Sequence, residues 1–211
     1  MGSHCCGPPV ERAPTPGFRR VLIVALAINA VMFLVEVGAG LIAGSLSLQA
    51  DALDFLGDAG NYALTLFVLG MTLKARATAA LVKGATMVVL GVFVLVQGVV
   101  HAVIGTVPHA EIMGATALTA LLANAAVAAM LYRYRDGDSN ARSVWLCSRN
   151  DVLANLAVLL AASGVFALES RWPDLAVAAL IASLGLTSGW QVVRDAVRER
   201  RTCGKSSEHD S

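Results

Sequence analysis

The sequence predicts an all-α, polytopic membrane protein with six transmembrane helices. Of the 211 residues, 56% are hydrophobic and only 15% are charged, whereas a soluble domain carries about 25% charged residues. The charged residues also gather between long apolar runs, each close to the roughly 20 residues that a helix needs to cross a bilayer. A net charge of +1 gives no support for a main role in nucleic-acid binding. The lipid bilayer is therefore the expected surrounding of most of the chain.

Six apolar stretches are long enough to span the bilayer, and we predict one helix for each. They cover residues 21–43, 48–73, 79–104, 112–131, 144–166 and 175–193. The chain then divides into a disordered N-terminal tail (1–18), a six-helix transmembrane domain (19–195) and a short C-terminal tail (196–211). The first tail holds four prolines and does not have the pattern of a signal peptide.

Basic residues are concentrated in or beside both tails and the second and fourth connections between the predicted helices. These residues are Arg12, Arg19, Arg20, Lys74, Arg76, Lys83, Arg133, Arg135, Arg142, Arg194, Arg198, Arg200, Arg201 and Lys205. The three remaining connections contain a single basic residue, Arg171. The positive-inside rule then predicts that both termini are cytoplasmic, and an even number of helices agrees. The short loops suit a bacterial inner membrane, and Asp136-Gly137-Asp138 is the turn signal of the fourth connection.

The second predicted helix carries an unusual set of acidic residues. Asp51, Asp54, Asp58 and Asn61 are separated by three, four and three residues, which places them on one face of a helix. One Asp at the centre of a membrane-spanning helix costs about 2.5–3.5 kcal/mol. We therefore expect these carboxylates to meet an aqueous cavity or a cation, although a polar seam that only joins helices is the structural alternative. Asp51 is interpreted either as an exit-path carboxylate or, preferably, as a charge at the helix start. Glu36 in the first helix is either an indirect partner of the site or a residue that snorkels to the surface.

The fifth predicted helix supplies a matching stripe. Cys147, Asp151 and Asn155 follow one another at intervals of four residues. We expect Cys147 and Asp151 to join Asp54 and Asp58 as the four ligands of a tetrahedral metal site, a geometry and donor set that Zn²⁺ accepts. A thiolate favours softer ions such as zinc or cadmium, and packing in the protein interior is the alternative role for this cysteine. Metal ions and protons compete for the same ligand atoms, so proton coupling is a further hypothesis.

These residues carry a family resemblance. Asp54 and Asp58 follow a Ser-Leu-x-x-x-Ala-Asp-Ala run, which resembles the second-helix signature of the cation diffusion facilitator family. Cys147 and Asp151 stand where that family has a His- or Asp-x-x-x-Asp motif on its fifth helix. The resemblance covers about residues 20–195 and implies export of Zn²⁺, or of Cd²⁺ or Co²⁺, from the cytoplasm. It also implies proton antiport, a homodimer, and metal ligation by the four residues just named.

Two features depart from the family pattern. Only a short tail follows Val193, so we do not expect the family's C-terminal cytoplasmic domain, and the dimer interface stays open. Cys147 replaces the usual His, which leaves the preferred metal open. His4, Cys5 and Cys6 form a soft-ligand cluster on the N-terminal tail that either captures metal or is incidental.

Other functions remain possible at this point. The same site would serve metal uptake, and a membrane sensor or scaffold would bind metal without transporting it. An enzyme is not expected, because no catalytic triad, phosphate-binding loop or cofactor motif stands out, and no bound cofactor is predicted.

Overall fold

The computed structural model describes residues 16–67, 73–134 and 139–208. These residues form six α-helices and contain no β-strand, which confirms the predicted fold class. The helices are α1 (Pro16–Ala43), α2 (Leu46–Phe67), α3 (Leu73–Ile104), α4 (Ala110–Tyr132), α5 (Ser139–Leu168) and α6 (Trp172–Glu208). The last helix continues into the segment predicted as a C-terminal tail, and the domain boundaries stay predictions. The His4-Cys5-Cys6 cluster and the turn signal at Asp136-Gly137-Asp138 lie outside the described residues.

The distribution of polarity is that of a multi-pass membrane protein. Over the described residues, five helices are long and apolar enough to cross a bilayer, and α2 is the exception. Large apolar side chains such as Leu34 and Ile42 are about two-thirds exposed on the outside of the bundle. Buried acids and amides, by contrast, lie in its interior. Since lipid tails cannot hydrogen-bond to polar groups, this arrangement suits a bilayer.

The acidic helix α2 occupies the centre of the bundle. It contacts each of the other five helices, while α1 packs mainly on α2, α4 on α5, and α3 on α6. This arrangement is what two inverted three-helix repeats would produce. Its neighbours shield α2 from lipid, which explains how a helix with three Asp residues can lie inside a membrane domain.

The α1–α2, α3–α4 and α5–α6 connections lie at one end of the bundle, which we call the short-loop end. Gly44 ends α1 with a φ of 66°, a conformation that glycine adopts without a steric penalty. The Gly44 amide donates to the Leu41 carbonyl and the Ser45 amide to the Gly40 carbonyl, at 3.4 and 2.9 Å. These two bonds form a Schellman motif, so α2 can begin directly at Leu46.

Small residues bring α3 and α6 into close contact. A Cβ atom added at Gly84 would lie 3.0 Å from the Gly189 carbonyl oxygen, and one added at Gly189 would lie 3.1 Å from the Gly84 carbonyl oxygen. The two backbones therefore touch at this point, as small residues allow in membrane helix pairs.

Candidate metal centre

Three of the four predicted ligands meet between α2 and α5. Asp58 and Asp151 are each 8% exposed, and Asp54 is half-buried. The Asp151 carboxyl group lies within hydrogen-bonding reach of both Asp54 and Asp58. The i, i+4 spacing places Asp54 and Asp58 on the same face of α2, and that face is turned towards α5. The structure therefore brings together the acidic pair of one helix and the single acid of the other.

This arrangement concentrates negative charge in a buried space. Ionised carboxyl groups accept hydrogen bonds but cannot donate them, and like charges repel strongly where water is scarce. A proton or a cation placed between the oxygens would relieve both problems. The site is therefore suited chemically to hold either one.

A complete ligand shell is not seen among the described side chains. No group of three or more His, Cys, Asp or Glu residues there has the spacing to hold one metal ion. Cys147 lies in α5, four residues before Asp151, but its side chain is outside the described part of the chain. The set of Asp54, Asp58, Cys147 and Asp151 therefore stays a prediction.

A lysine from α3 reaches the same region. The Lys83 ammonium group donates a hydrogen bond to the Asn61 side-chain oxygen, and its positive charge acts on the nearby carboxyl groups of Asp54 and Asp58. The sequence pattern had placed Lys83 among the cytoplasmic basic residues. Its position at the acidic site depends on how α3 packs against α2, which no spacing rule gives.

A hydrogen bond between two helices lies beside Asp58. The Tyr62 hydroxyl shares a 2.8 Å hydrogen bond with the Ser148 hydroxyl of α5 and also lies within hydrogen-bonding reach of Asp58. Both Tyr62 and Ser148 are buried. The signal that could have found Tyr62 is its spacing of four residues from Asp58, which puts it on the acidic face.

A second polar layer lies one helical turn nearer the short-loop end. Glu36, Asp51 and Asn155 are fully buried, so Glu36 does not snorkel to the surface. The Asn155 side-chain amide donates to an Asp51 carboxylate oxygen at 3.4 Å and to the Asp151 carbonyl oxygen at 3.0 Å.

The preferred interpretation of Asp51 as a charge at the helix start is wrong. It lies in the second turn of α2, and Asp174 of α6 caps that helix instead.

Comparison with known proteins agrees with this architecture. Residues 22–199 match the family model described as the cation efflux transmembrane domain. The chain belongs to this family. The resemblance inferred from the two acidic motifs is thereby confirmed, and the family is one of membrane transporters rather than of enzymes.

The curated relatives that the chain matches are about one-quarter identical to it. Zinc transporter ZitB of Escherichia coli (strain K12) is 25% identical over 201 residues, covering 88% of this chain and 64% of the relative. Zinc transporter ZitB of Yersinia pestis is 26% identical over 197 residues, covering 84% and 61%. The chain thus spans less than two-thirds of the length of these curated relatives.

Proposed function

We propose that the chain exports Zn²⁺, or a similar divalent ion such as Cd²⁺ or Co²⁺, from the cytoplasm in exchange for protons. The observation that carries this proposal is the meeting of Asp151 with Asp54 and Asp58 inside the bundle. Intramembrane carboxylates that are sheltered from lipid usually mark ion pathways or proton relays. The zinc transporters among the relatives support zinc as the ion.

The proposed ligands are Asp54, Asp58, Cys147 and Asp151. Two helices then provide three carboxylates and one thiolate, a donor set that Zn²⁺ accepts in tetrahedral geometry. The thiolate increases the affinity for soft ions such as Cd²⁺. No resident cofactor is part of the proposal, because the metal is the transported substrate.

Proton exchange follows from the shared oxygens. A carboxylate that binds a metal ion must be deprotonated, so metal binding releases protons and protonation releases metal. The buried acids of α2 and α5 would therefore carry either metal in one direction or protons in the other. The rest of the cycle requires that the site open alternately to the two sides, and rocking of the two three-helix groups would achieve this.

The proposal also covers the orientation of the chain, its membrane and its oligomeric state. The basic connections at the end opposite the short-loop end support cytoplasmic termini, and the short loops support a bacterial inner membrane. A homodimer is the assembly that the family resemblance implies. Under this orientation, ions leave the cell through the short-loop end.

The test is zinc flux in proteoliposomes under an imposed pH gradient. We expect zinc movement against its own gradient with the native chain, and loss of that movement in Asp58→Asn, which removes a charge while keeping the shape. Glu111→Gln serves as the control, because Glu111 is an exposed acid at the start of α4 and should transport normally.

Three results would overturn the proposal. Proton-driven zinc flux that survives in Asp58→Asn would show that the site is elsewhere. Flux into the cytoplasmic side would indicate an uptake permease that uses the same residues. Zinc binding without any flux would indicate a membrane sensor or scaffold.

A further inference from the structure

The polar layer of Glu36, Asp51 and Asn155 contains more hydrogen-bond acceptors than donors. Glu36 is fully buried, and neither of its carboxylate oxygens has a hydrogen-bond partner. One Asp51 carboxylate oxygen and the Asn155 side-chain oxygen are also buried without a partner. A buried acceptor that lacks a donor costs about 1–3 kcal/mol, and more when it is charged. Four such oxygens together require a positive charge among them, either a proton or a cation.

The three side chains converge from three different helices. The Glu36 carboxyl group of α1 lies within hydrogen-bonding reach of the Asp51 carboxyl group of α2. Asn155 of α5 donates a hydrogen bond from its side-chain nitrogen to Asp51 Oδ1 at 3.4 Å, while its side-chain oxygen is buried without a hydrogen-bond partner. The two amide hydrogens of Asn155 are directed to Asp51 and to the Asp151 carbonyl oxygen. No donor on Asn155 is then left for Glu36.

We propose that Glu36, Asp51 and Asn155 form a second binding site for a divalent cation, separate from the α2–α5 ligand set and one helical turn nearer the short-loop end. The donors are two carboxylates and one amide oxygen. Oxygen ligands suit harder divalent ions, whereas the thiolate of the first site suits softer ones. The second site should therefore bind Mn²⁺, Co²⁺ or Zn²⁺ without a strong preference for Cd²⁺.

The position of this second site gives it a place in transport. Asp51 lies three residues before Asp54 on the same helix face, so an ion leaving the first site towards the short-loop end would reach the second one next. Because two nearby cations repel each other, an ion that enters the first site would help to expel one held at the second. This relay role rests on the proposed function, whereas the cation binding itself does not.

The test is a Co²⁺ titration of the purified chain, read by equilibrium dialysis and by absorption spectroscopy, with Cys5→Ser and Cys6→Ser present throughout so that the His4-Cys5-Cys6 cluster contributes no thiolate. Cobalt bound through Cys147 produces a thiolate-to-metal charge-transfer band, and cobalt bound only by oxygen does not. We expect the native chain to bind one equivalent with the band and a second equivalent without it. Glu36→Gln should lose the second equivalent and keep the band, while the exposed-acid control Glu111→Gln should keep both.

Asp51→Asn provides an independent variant of nearly identical shape, and it should give the same loss as Glu36→Gln. The inference is wrong if the native chain binds only the equivalent with the band, since Glu36 and Asp51 then share a proton instead of a metal. It is also wrong if both variants retain the second equivalent. A third outcome is that the native chain shows no charge-transfer band, yet Glu36→Gln and Asp51→Asn each bind one Co²⁺ equivalent fewer than it does. That result would support this site and contradict the ligand set of the proposed function.

Discussion

The carboxylate of Asp174, at the start of α6, accepts a 2.9 Å hydrogen bond from the backbone amide of Leu46, the first residue of α2. The same carboxylate accepts hydrogen bonds from the Ser47 amide at 3.0 Å, the Ser45 hydroxyl at 2.7 Å and the Ser47 hydroxyl at 2.5 Å. An acid at a helix N-terminus accepts hydrogen bonds from amides that have no partner within the helix. Its negative charge also interacts favourably with the positive end of the helix dipole. Asp174 therefore ties the central acidic helix to α6 at the short-loop end.

Asp174→Ala should destabilise the protein. The variant would leave the backbone amides of Leu46 and Ser47 without their acceptor. It would also leave the Ser45 and Ser47 hydroxyls with no acceptor other than each other, at 3.3 Å, and we expect a loss of about 3 kcal/mol. The measurement is the apparent Tm in detergent, which should fall by several degrees. Asp195→Ala is the matched control, because Asp195 is an exposed acid in the same helix. Equal Tm values for the two variants would show that the Asp174 contacts do not stabilise the fold.

Gly189→Leu should separate α3 from α6. A Cβ atom added at Gly189 would lie 3.1 Å from the Gly84 carbonyl oxygen, the Met87 Cβ atom and a Val88 methyl group. A larger side chain would therefore force the backbones apart. Overpacking of this kind typically costs about 1–3 kcal/mol. Gly185→Leu, one turn earlier, is the control, since a Cβ atom there would meet no atom within 4 Å. The comparison is again the apparent Tm, and a Gly185→Leu variant that is the less stable of the two would contradict the observed packing.

Lys83→Gln should strengthen zinc binding. The positive charge of Lys83 acts on the carboxyl groups of Asp54 and Asp58, so it would repel a metal ion bound by the same carboxyl groups. Its removal should raise zinc affinity by roughly tenfold, or about 1.4 kcal/mol, as measured by equilibrium dialysis. Arg149→Gln is the control, because Arg149 is exposed and lies over the Trp145 ring at 5.5 Å. Weaker zinc binding in Lys83→Gln would mean that the lysine positions the carboxylates rather than competing with the ion.

Cys147→His should change which metal is preferred. Imidazole is a harder ligand than thiolate, so the variant should lose affinity for Cd²⁺ relative to Zn²⁺. The measurement is competition between the two ions for binding to the purified chain. Cys203→His tests whether any cysteine would have the same effect. An unchanged ratio of the two affinities in Cys147→His would remove Cys147 from the ligand set.

The helices and the acidic faces could be predicted because they depend on local patterns. Hydropathy over about 20 residues identifies a span, and the spacing of Asp51, Asp54 and Asp58 places them on one face without any tertiary information. The spacing of Cys147 and Asp151 similarly indicates a second motif. These features sufficed for the fold class and for the family.

The contacts between helices could not be predicted in the same way. Asp174 looks like an acid in the first turn of its own helix, and nothing in the sequence shows that it caps α2, 128 residues away. Lys83 obeys the positive-inside pattern, and its reach to Asn61 depends on the rotation of α3 about its axis. Glu36 is a single acid in an apolar helix, and the sequence does not show which residues it contacts. Only the packing of the helices distinguishes a buried Glu36 from one that snorkels to the surface.

The most direct test of the α2–α5 site is zinc flux by two variants at adjacent positions of α5. Asp151 is buried against the acidic pair of α2, whereas Asn150 is exposed. In proteoliposomes with an imposed pH gradient, Asp151→Ala should lose zinc transport and Asn150→Ala should transport at the native rate. Native transport by Asp151→Ala, in vesicles that contain the same amount of folded protein, would contradict the central claim that the ion crosses the membrane between these two helices.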